Sequence, residues 1–373
     1  MTIPLFQLER YFALHEFSAR WLLSPSDPES IGQASLLAMA DPETQRLWAE
    51  LRLGYTESLG HPLLRGEIAR SYAGLDAGDI LVAAPEEAIY LLMHSLLRQG
   101  DHVIVTQPAY QSLHEIARSL GCEVSDWRVQ LEEGRWRVDL DALARQIRPT
   151  TRLIVVNFPH NPTGFLPDRA TFDELLELAR WRGLHLFCDE MYRGLEHEPA
   201  RQLPAAADLY EKAVSLSGLS KAYALPGLRI GWLATRDAAL LGRCANLKDY
   251  ISICSSAPSE VLAIIALRAG ARILARNRSI IADNLRAAQG FCAVHDRCCR
   301  WIPPLAGSTA FPRLCDELPV QRFADELLAQ RGVMVAPGAL FGDPGNHFRL
   351  GLGRRSLPGA LEQVGEYLGG LEL

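Results

Sequence analysis

Between residues 80 and 235 the chain repeats one pattern: a short, nearly continuous run of Val, Ile and Leu, then a longer amphipathic stretch. Asp79-Ile80-Leu81-Val82 precedes a helical pattern from Pro85 to Leu97, and His102-Val103-Ile104-Val105 precedes another from Gln111 to Leu120. Leu153-Ile154-Val155-Val156 precedes a third from Arg169 to Arg182, and His185-Leu186-Phe187-Cys188 follows. Arg229 to Ala234 reads as a further apolar strand. A strand that is apolar on both faces must be covered on both, so the pattern predicts a mostly parallel sheet between helices. Open sheets of this kind bind ligands beyond the carboxyl ends of their strands. The unusual residues of this chain fall there.

The two ends lack the alternation. Ser24-Pro25-Ser26-Asp27-Pro28 is a polar, proline-broken stretch, and a long helical pattern runs from Ser256 towards Ala288 with an interruption at Gly270. Beyond Gly307, strand-like pieces at 308–314 and 333–336 accompany helices around 323–330 and 359–368. The 373 residues are therefore expected to form an α/β protein of two units, a large domain over residues 50–270 and a smaller α+β domain built from 1–49 with 271–373. With 38 basic against 44 acidic residues the net charge is −6, and no basic cluster stands out, which argues against a nucleic-acid partner. The longest apolar runs, such as Val261 to Leu267, fall far short of the roughly 20 residues that span a bilayer. Met1 to Phe12 shows no basic segment followed by an apolar stretch, so a cytoplasmic protein without a membrane partner is expected. The eight cysteines are scattered without C-x-x-C spacing and the ten histidines without H-x-x-x-H spacing, which predicts reduced thiols and no metal.

The most informative stretch is Ser217-Gly218-Leu219-Ser220-Lys221-Ala222-Tyr223-Ala224-Leu225-Pro226-Gly227-Leu228-Arg229-Ile230-Gly231-Trp232. A lysine among small residues in a loop between strands is oddly placed for a solvated surface lysine. The arginine eight residues later begins an apolar strand, where a cation is costly without an anionic partner. Such a pair suits a ligand carrying a carbonyl and a phosphate, the amine forming a Schiff base and the guanidinium gripping phosphate. Asp189 ends the strand at 186–188, where a buried carboxylate needs a cationic partner. Asn157-Phe158-Pro159-His160-Asn161-Pro162-Thr163-Gly164 and Pro108-Ala109-Tyr110 each follow an apolar strand, and Asn346 to Gly351 is a strand containing one arginine, Arg349.

On these motifs the sequence resembles the class I/II pyridoxal-phosphate aminotransferases of fold type I, from about Tyr55 to the strand at Arg349. The small-apolar-Ser-Lys run followed by Leu-x-Gly-x-Arg-Ile-Gly matches that family's lysine signature. The resemblance implies a fold type I PLP-transferase with pyridoxal 5'-phosphate as cofactor. It also implies an enzyme that moves an amino group between an L-amino acid and a 2-oxo acid, acting as a homodimer with shared sites. It makes Lys221 the Schiff-base lysine and the carrier of the Cα proton, and Asp189 the partner of the ring nitrogen. Tyr192 and Asn161 match the donors to the phenolic oxygen, and Tyr110 matches the ring stacked on the pyridine. Ser220 and Arg229 fall at the phosphate, with the backbone amides of Glu86 and Glu87 at a helix amino terminus and Tyr55 reaching across the dimer. Arg349, with Asn161, matches the clamp for the substrate's α-carboxylate.

Two departures stand out. Ala83-Ala84-Pro85-Glu86-Glu87-Ala88 replaces a glycine-containing turn, and two carboxylates near a phosphate are unfavourable unless they point away. Gly218 stands where many relatives carry a phosphate-binding serine. The same site chemistry also suits a lyase or cyclase of that fold, capreomycidine-synthase-like or C–S-lyase-like. A cofactor-binding regulator without turnover is a further alternative, though no DNA-binding motif accompanies the domain. Specialisation between these readings is expected in Leu8-Glu9-Arg10-Tyr11-Phe12 and Glu16-Phe17-Ser18-Ala19.

Overall fold

Seven strands build the central sheet of the protein, seen in a computed structural model that describes residues 3–371. Met1, Thr2, Glu372 and Leu373, which the expected small unit includes, lie outside the described residues. The strands are β1 (Ile80–Ala83), β2 (His102–Gln107), β3 (Glu123–Arg128), β4 (Thr151–Asn157), β5 (His185–Asp189), β6 (Ala213–Gly218) and β7 (Gly231–Ala234). Their spatial order is β1-β7-β6-β5-β4-β2-β3. β7 runs antiparallel to both neighbours and the remaining pairs are parallel. The side-chain period of two divides each strand between two cores. Val103, Val105, Leu153, Val155 and Phe187 pack on one face, and Ile104, Ile154, Val156, Leu186 and Cys188 on the other. Helices Pro85–Leu96, Ser112–Ser119 and Arg169–Arg182 make the crossovers that parallel pairing requires.

Several local expectations are corrected. Arg229 does not begin a strand: it sits in the left-handed region at φ 57°, after the single turn Pro226–Leu228, and β7 starts only at Gly231. The helical pattern after Ser256 breaks before Gly270 as expected, into Ala257–Arg268 and Gly270–Val294, the second running beyond Ala288. The stretch 308–314 is two short strands, Thr309–Ala310 and Arg313–Leu314, separated at Pro312, which has no amide proton for a ladder. Likewise 333–336 divides into Val333–Met334 and Ala336–Pro337. Trp21–Leu22 pairs in parallel with Val333–Met334, and Phe348–Gly351 pairs with both Thr309–Ala310 and Ala336–Pro337. The amino-terminal segment is thereby fastened to the carboxyl-terminal part of the chain. Among the described residues all eight cysteines are free thiols and no helix is long and apolar enough to cross a membrane.

Gly218 and Gly231, paired across β6 and β7, are fixed by space. A Cβ on Gly218 would lie 2.9 Å from Gly231 Cα and 3.0 Å from the Ile230 carbonyl oxygen. One on Gly231 would lie 2.8 Å from Pro85 Cγ, so the glycines let helix Pro85–Leu96 start directly over the sheet edge. A phosphate-binding side chain at position 218 has no room. Gly227, in contrast, has nothing within 4 Å of such a Cβ. Gly218→Ala is therefore expected to lower unfolding free energy by roughly 1–3 kcal/mol, as overpacking does. Gly227→Ala should stay near wild type in the same denaturant titration, and equal effects of the two would contradict this account.

Candidate active site

Adjacent strand ends make the floor of a cavity of about 630 Å³. Asn157 at the end of β4 faces Asp189 at the end of β5 in register, and Asp189 faces Leu216 of β6. Asn157 ties the ends together: its Nδ2 donates to the Asp189 carbonyl at 2.9 Å, and its Oδ1 accepts from the Asn161 amide at 2.7 Å. The cavity gathers Lys221, Asp189, Tyr192, Asn161, Tyr110, Ser220, Arg229, Glu86 and Arg349. Glu87 and Tyr55 are not among its walls. Glu87 accepts from Ser252 Oγ at 2.6 Å, and Tyr55 is 89% exposed. A second cavity, about 450 Å³ among Trp136, Phe165, Asp168 and Arg201, holds none of these residues.

The chain has three lysines, Lys212, Lys221 and Lys248. Lys212 Nζ donates to the Gly183 carbonyl at the surface, and Lys248 Nζ to the carbonyls of Ser58 and Ile253. Only Lys221 faces the cavity, its Nζ donating to Ser26 Oγ at 2.8 Å. Burial holds the Lys221 amine below its ordinary pKa, against the opposing pull of the Asp27 carboxylate. Asp189 accepts from the Met191 amide at 3.1 Å, and burial pushes its carboxyl up to about 7 despite that bond. No cationic side chain bonds to it among the described residues. Burial also holds the Tyr192 phenol well above its ordinary range.

Arg349, 2% exposed, donates from Nε to the Ser24 carbonyl at 2.9 Å and from Nη1 to Asn161 Oδ1 at 3.3 Å. Its guanidinium lies 4.8 Å from the Phe341 ring centre and 5.6 Å from that of Phe12. Arg229 Nη1 is held by the Pro226 carbonyl at 3.0 Å, and no carboxylate pairs with it among the described residues. Ser220 Oγ is buried with no hydrogen-bond partner. Glu86 does face the cavity, and burial raises its carboxyl to about 7, which lessens the charge an incoming phosphate meets. The two carboxylates of this turn thus divide, Glu87 engaged with Ser252 outside the cavity and Glu86 facing it with its proton held more tightly than usual.

Sequence reasoning did not place one wall of the cavity. Helix Gln7–His15 brings Glu9 and Phe12 to the cavity, Glu16 follows at its end, and Ser26 and Asp27 complete the wall. The helix is held by Tyr11, whose hydroxyl donates to the Val335 carbonyl at 2.8 Å. The sequence marks this region as the expected seat of specialisation, at Leu8 to Phe12 and Glu16 to Ala19, and by the break in composition at Ser24 to Pro28, but nothing in it indicates which strand ends it covers.

A partnerless hydroxyl and an unpaired guanidinium at one end, and a buried carboxylate without a cation at the floor, fit a molecule that is anionic at one end and carries a protonated ring nitrogen. Pyridoxal phosphate has both. Asp189 gives a direct test. Its folded-state pKa of about 7 lies above the usual 3.8, so the folded protein binds the proton more tightly. Stability is then lost as pH rises from about 4 to 7, by at most roughly 4 kcal/mol. Cofactor-free Asp189→Asn should melt several degrees above cofactor-free wild type at pH 8, with the gap closing at pH 4. A gap independent of pH would contradict the assignment.

Residues 29–356 match the family Aminotransferase class I and II. The chain is 32% identical over 373 aligned residues to capreomycidine synthase of Streptomyces vinaceus, covering 99% of this chain and 95% of that one. A PLP-dependent aminotransferase from Streptococcus suis superimposes with a TM-score of 0.93 at 32% identity, covering 100% of both chains. A crystallised PLP-dependent cyclase superimposes with a TM-score of 0.90 at 28% identity, covering 99% of this chain and 98% of that one. With its fold, its lysine signature and this extent of match, the chain belongs to the class I and II aminotransferase family of fold type I.

Proposed function

We propose that the protein is a pyridoxal-phosphate enzyme that moves an amino group between an L-amino acid and a 2-oxo acid. The observation that carries this is Lys221, the only lysine in the cavity, converging there with Asp189, Asn161 and Arg349. Arg229, Ser220 and the amide end of helix Pro85–Leu96 would hold the phosphate, and Asp189 the ring nitrogen. Tyr192 and Asn161 would donate to the phenolic oxygen, with the ring of Tyr110 against the pyridine. Bound there, pyridoxal phosphate supplies an electron-withdrawing ring that makes the substrate's Cα proton acidic. Arg349 holds the substrate's α-carboxylate and so fixes which bond at Cα faces Lys221. Lys221, its pKa lowered by burial, carries the proton from Cα. Phe12 and the helix that bears it keep water from Arg349 on that side.

The full-length similarity to capreomycidine synthase and to a cyclase favours one second reading, in which the same activated substrate is cyclised or undergoes elimination. The two differ in stoichiometry. Given one reactive amino acid and no oxo acid, a transaminating enzyme releases one 2-oxo acid per site and stops, restarting when a second 2-oxo acid is added. We expect that result by chromatography of the products. Many turnovers of the amino acid alone would establish the lyase or cyclase instead.

The organisation we propose is a cytoplasmic homodimer, each protomer divided into 50–270 and 1–49 with 271–373. Leu53, Tyr55 and Tyr250 are 83–89% exposed and Ile251 and Ile253 about half exposed, an apolar surface of the kind that dimers cover. Eight free thiols suit a reducing compartment. Mixing Lys221→Ala with Tyr55→Phe subunits should give activity above the sum of the separate variants, approaching about a quarter of wild type as half the dimers are mixed and one of their two sites is intact. No recovery after exchange, or full activity in a monomeric fraction, would refute shared sites.

A further inference from the structure

Glu9, Glu16, Asp27, Glu86 and Asp189 line the cavity together with Arg10, Lys221, Arg229 and Arg349. Most of these charges are already engaged. Asp27 accepts from Arg354 Nη2 at 2.8 Å. Asp189, Lys221, Arg229 and Glu86 border the space assigned to the cofactor. Arg349 is buried, lines the cavity and carries no carboxylate partner among the described residues, and its hydrogen bonds engage Nε and Nη1 but not Nη2. A buried guanidinium so placed calls for an anion from the ligand. The groups left over are Glu9, Glu16 and the exposed Arg10 at the rim.

Glu9 accepts from the Tyr110 hydroxyl at 2.7 Å through Oε1, leaving Oε2 for another donor. The Glu16 carboxylate makes no hydrogen bond or ion pair among the described residues, although the residue is half-buried. Burial, and after it the Asp27 carboxylate, hold the Glu16 carboxyl above the usual range, with Arg354 acting against them and Glu9 adding to the rise. Glu9, Glu16 and Asp27 thus lie on one wall of the cavity, with Arg354 paired to Asp27, the Lys221 amine facing Glu16 at longer range and Arg10 exposed beside them. A ligand anchored at Arg349 by its carboxylate shares one cavity with that wall, where a cation offsets the clustered carboxylates and an anion adds to their repulsion.

We propose that the substrate is an amino acid with a cationic side chain, held through its α-carboxylate by Arg349 and through its ammonium or guanidinium by Glu16 and Glu9. This rests on the amino-acid substrate reading above. It makes Glu9 and Glu16 specificity-determining residues.

The test is calorimetric titration of the holoprotein with unreactive carboxylates that lack an α-amine: 5-guanidinopentanoate, hexanoate and adipate. We expect 5-guanidinopentanoate to bind at least about tenfold more tightly than hexanoate, and adipate most weakly. Glu16→Gln should remove most of that preference and leave hexanoate affinity in place, with Glu9→Gln doing so more mildly. Titration with trimethylammonio-pentanoate, which has charge but no N–H donor, separates simple charge attraction from hydrogen-bonded recognition within the proposal. Equal or tighter binding of hexanoate or adipate, or a preference unchanged in both variants, overturns it. If Arg349→Ala leaves all three affinities unchanged, or no probe binds, the amino-acid site reading fails with it. If all bind through Arg349 without preference, only the cationic assignment fails.

Discussion

A carboxylate at the end of a buried parallel strand sets the terms for the rest of this site. Asp189 lies between β4 and β6, deep enough that burial raises its carboxyl to about 7 against the pull of the Lys221 amine, with one backbone donor and no bonded cation among the described residues. Such a group is a liability for a folded chain unless a ligand compensates it. The neighbouring residues show the same incompleteness: among the described residues Ser220 Oγ has no partner, and neither Arg229 nor Arg349 is paired with a carboxylate. The cavity is built for a molecule that brings complementary charges.

What keeps those groups in place is ordinary packing at unusual tightness. The Gly218–Gly231 pair lets β6, β7 and the start of helix Pro85–Leu96 approach to distances that no Cβ permits. Asn157 links strand end to loop through both ends of its amide, fixing Asn161, which in turn holds Arg349. The Ser24 carbonyl holds the other side of Arg349, and Ser26 holds Lys221. Residues far apart in the sequence therefore share one chain of hydrogen bonds, from β4 to the amino-terminal segment to the strand Phe348–Gly351.

The sheet was legible because its strands are apolar on both faces, a pattern that few other arrangements bury. β3 escaped notice because Glu123 to Arg128 lies at the sheet edge and alternates with polar residues, and β6 because Ser215 and Ser217 break its apolar run. The floor of the site was legible through its lysine signature and through charged residues at strand ends, where their cost is high. Arg229 was read as part of a strand because its neighbours are apolar, and its left-handed backbone has no signal in those neighbours. The position of Glu9, Glu16, Ser26 and Asp27 at the cavity was opaque for a different reason, although the segments holding Glu9 and Glu16 were expected to carry specialisation. They reach the cavity only through long-range contacts, such as Tyr11 with Val335 and Trp21 with Val333, that no local pattern encodes. That wall carries the substrate assignment, so the least legible part of the chain distinguishes it within its family.

The central claim is that Lys221 carries the cofactor, and the scarcity of lysine makes it open to a direct measurement. After borohydride reduction of the holoprotein and proteolysis, mass spectrometry has only Lys212, Lys221 and Lys248 to distinguish. The account predicts a single pyridoxyl-phosphate adduct, close to one per chain, on the peptide containing Lys221. An adduct on Lys212 or Lys248, or no covalent adduct in protein shown to bind the cofactor, would contradict it.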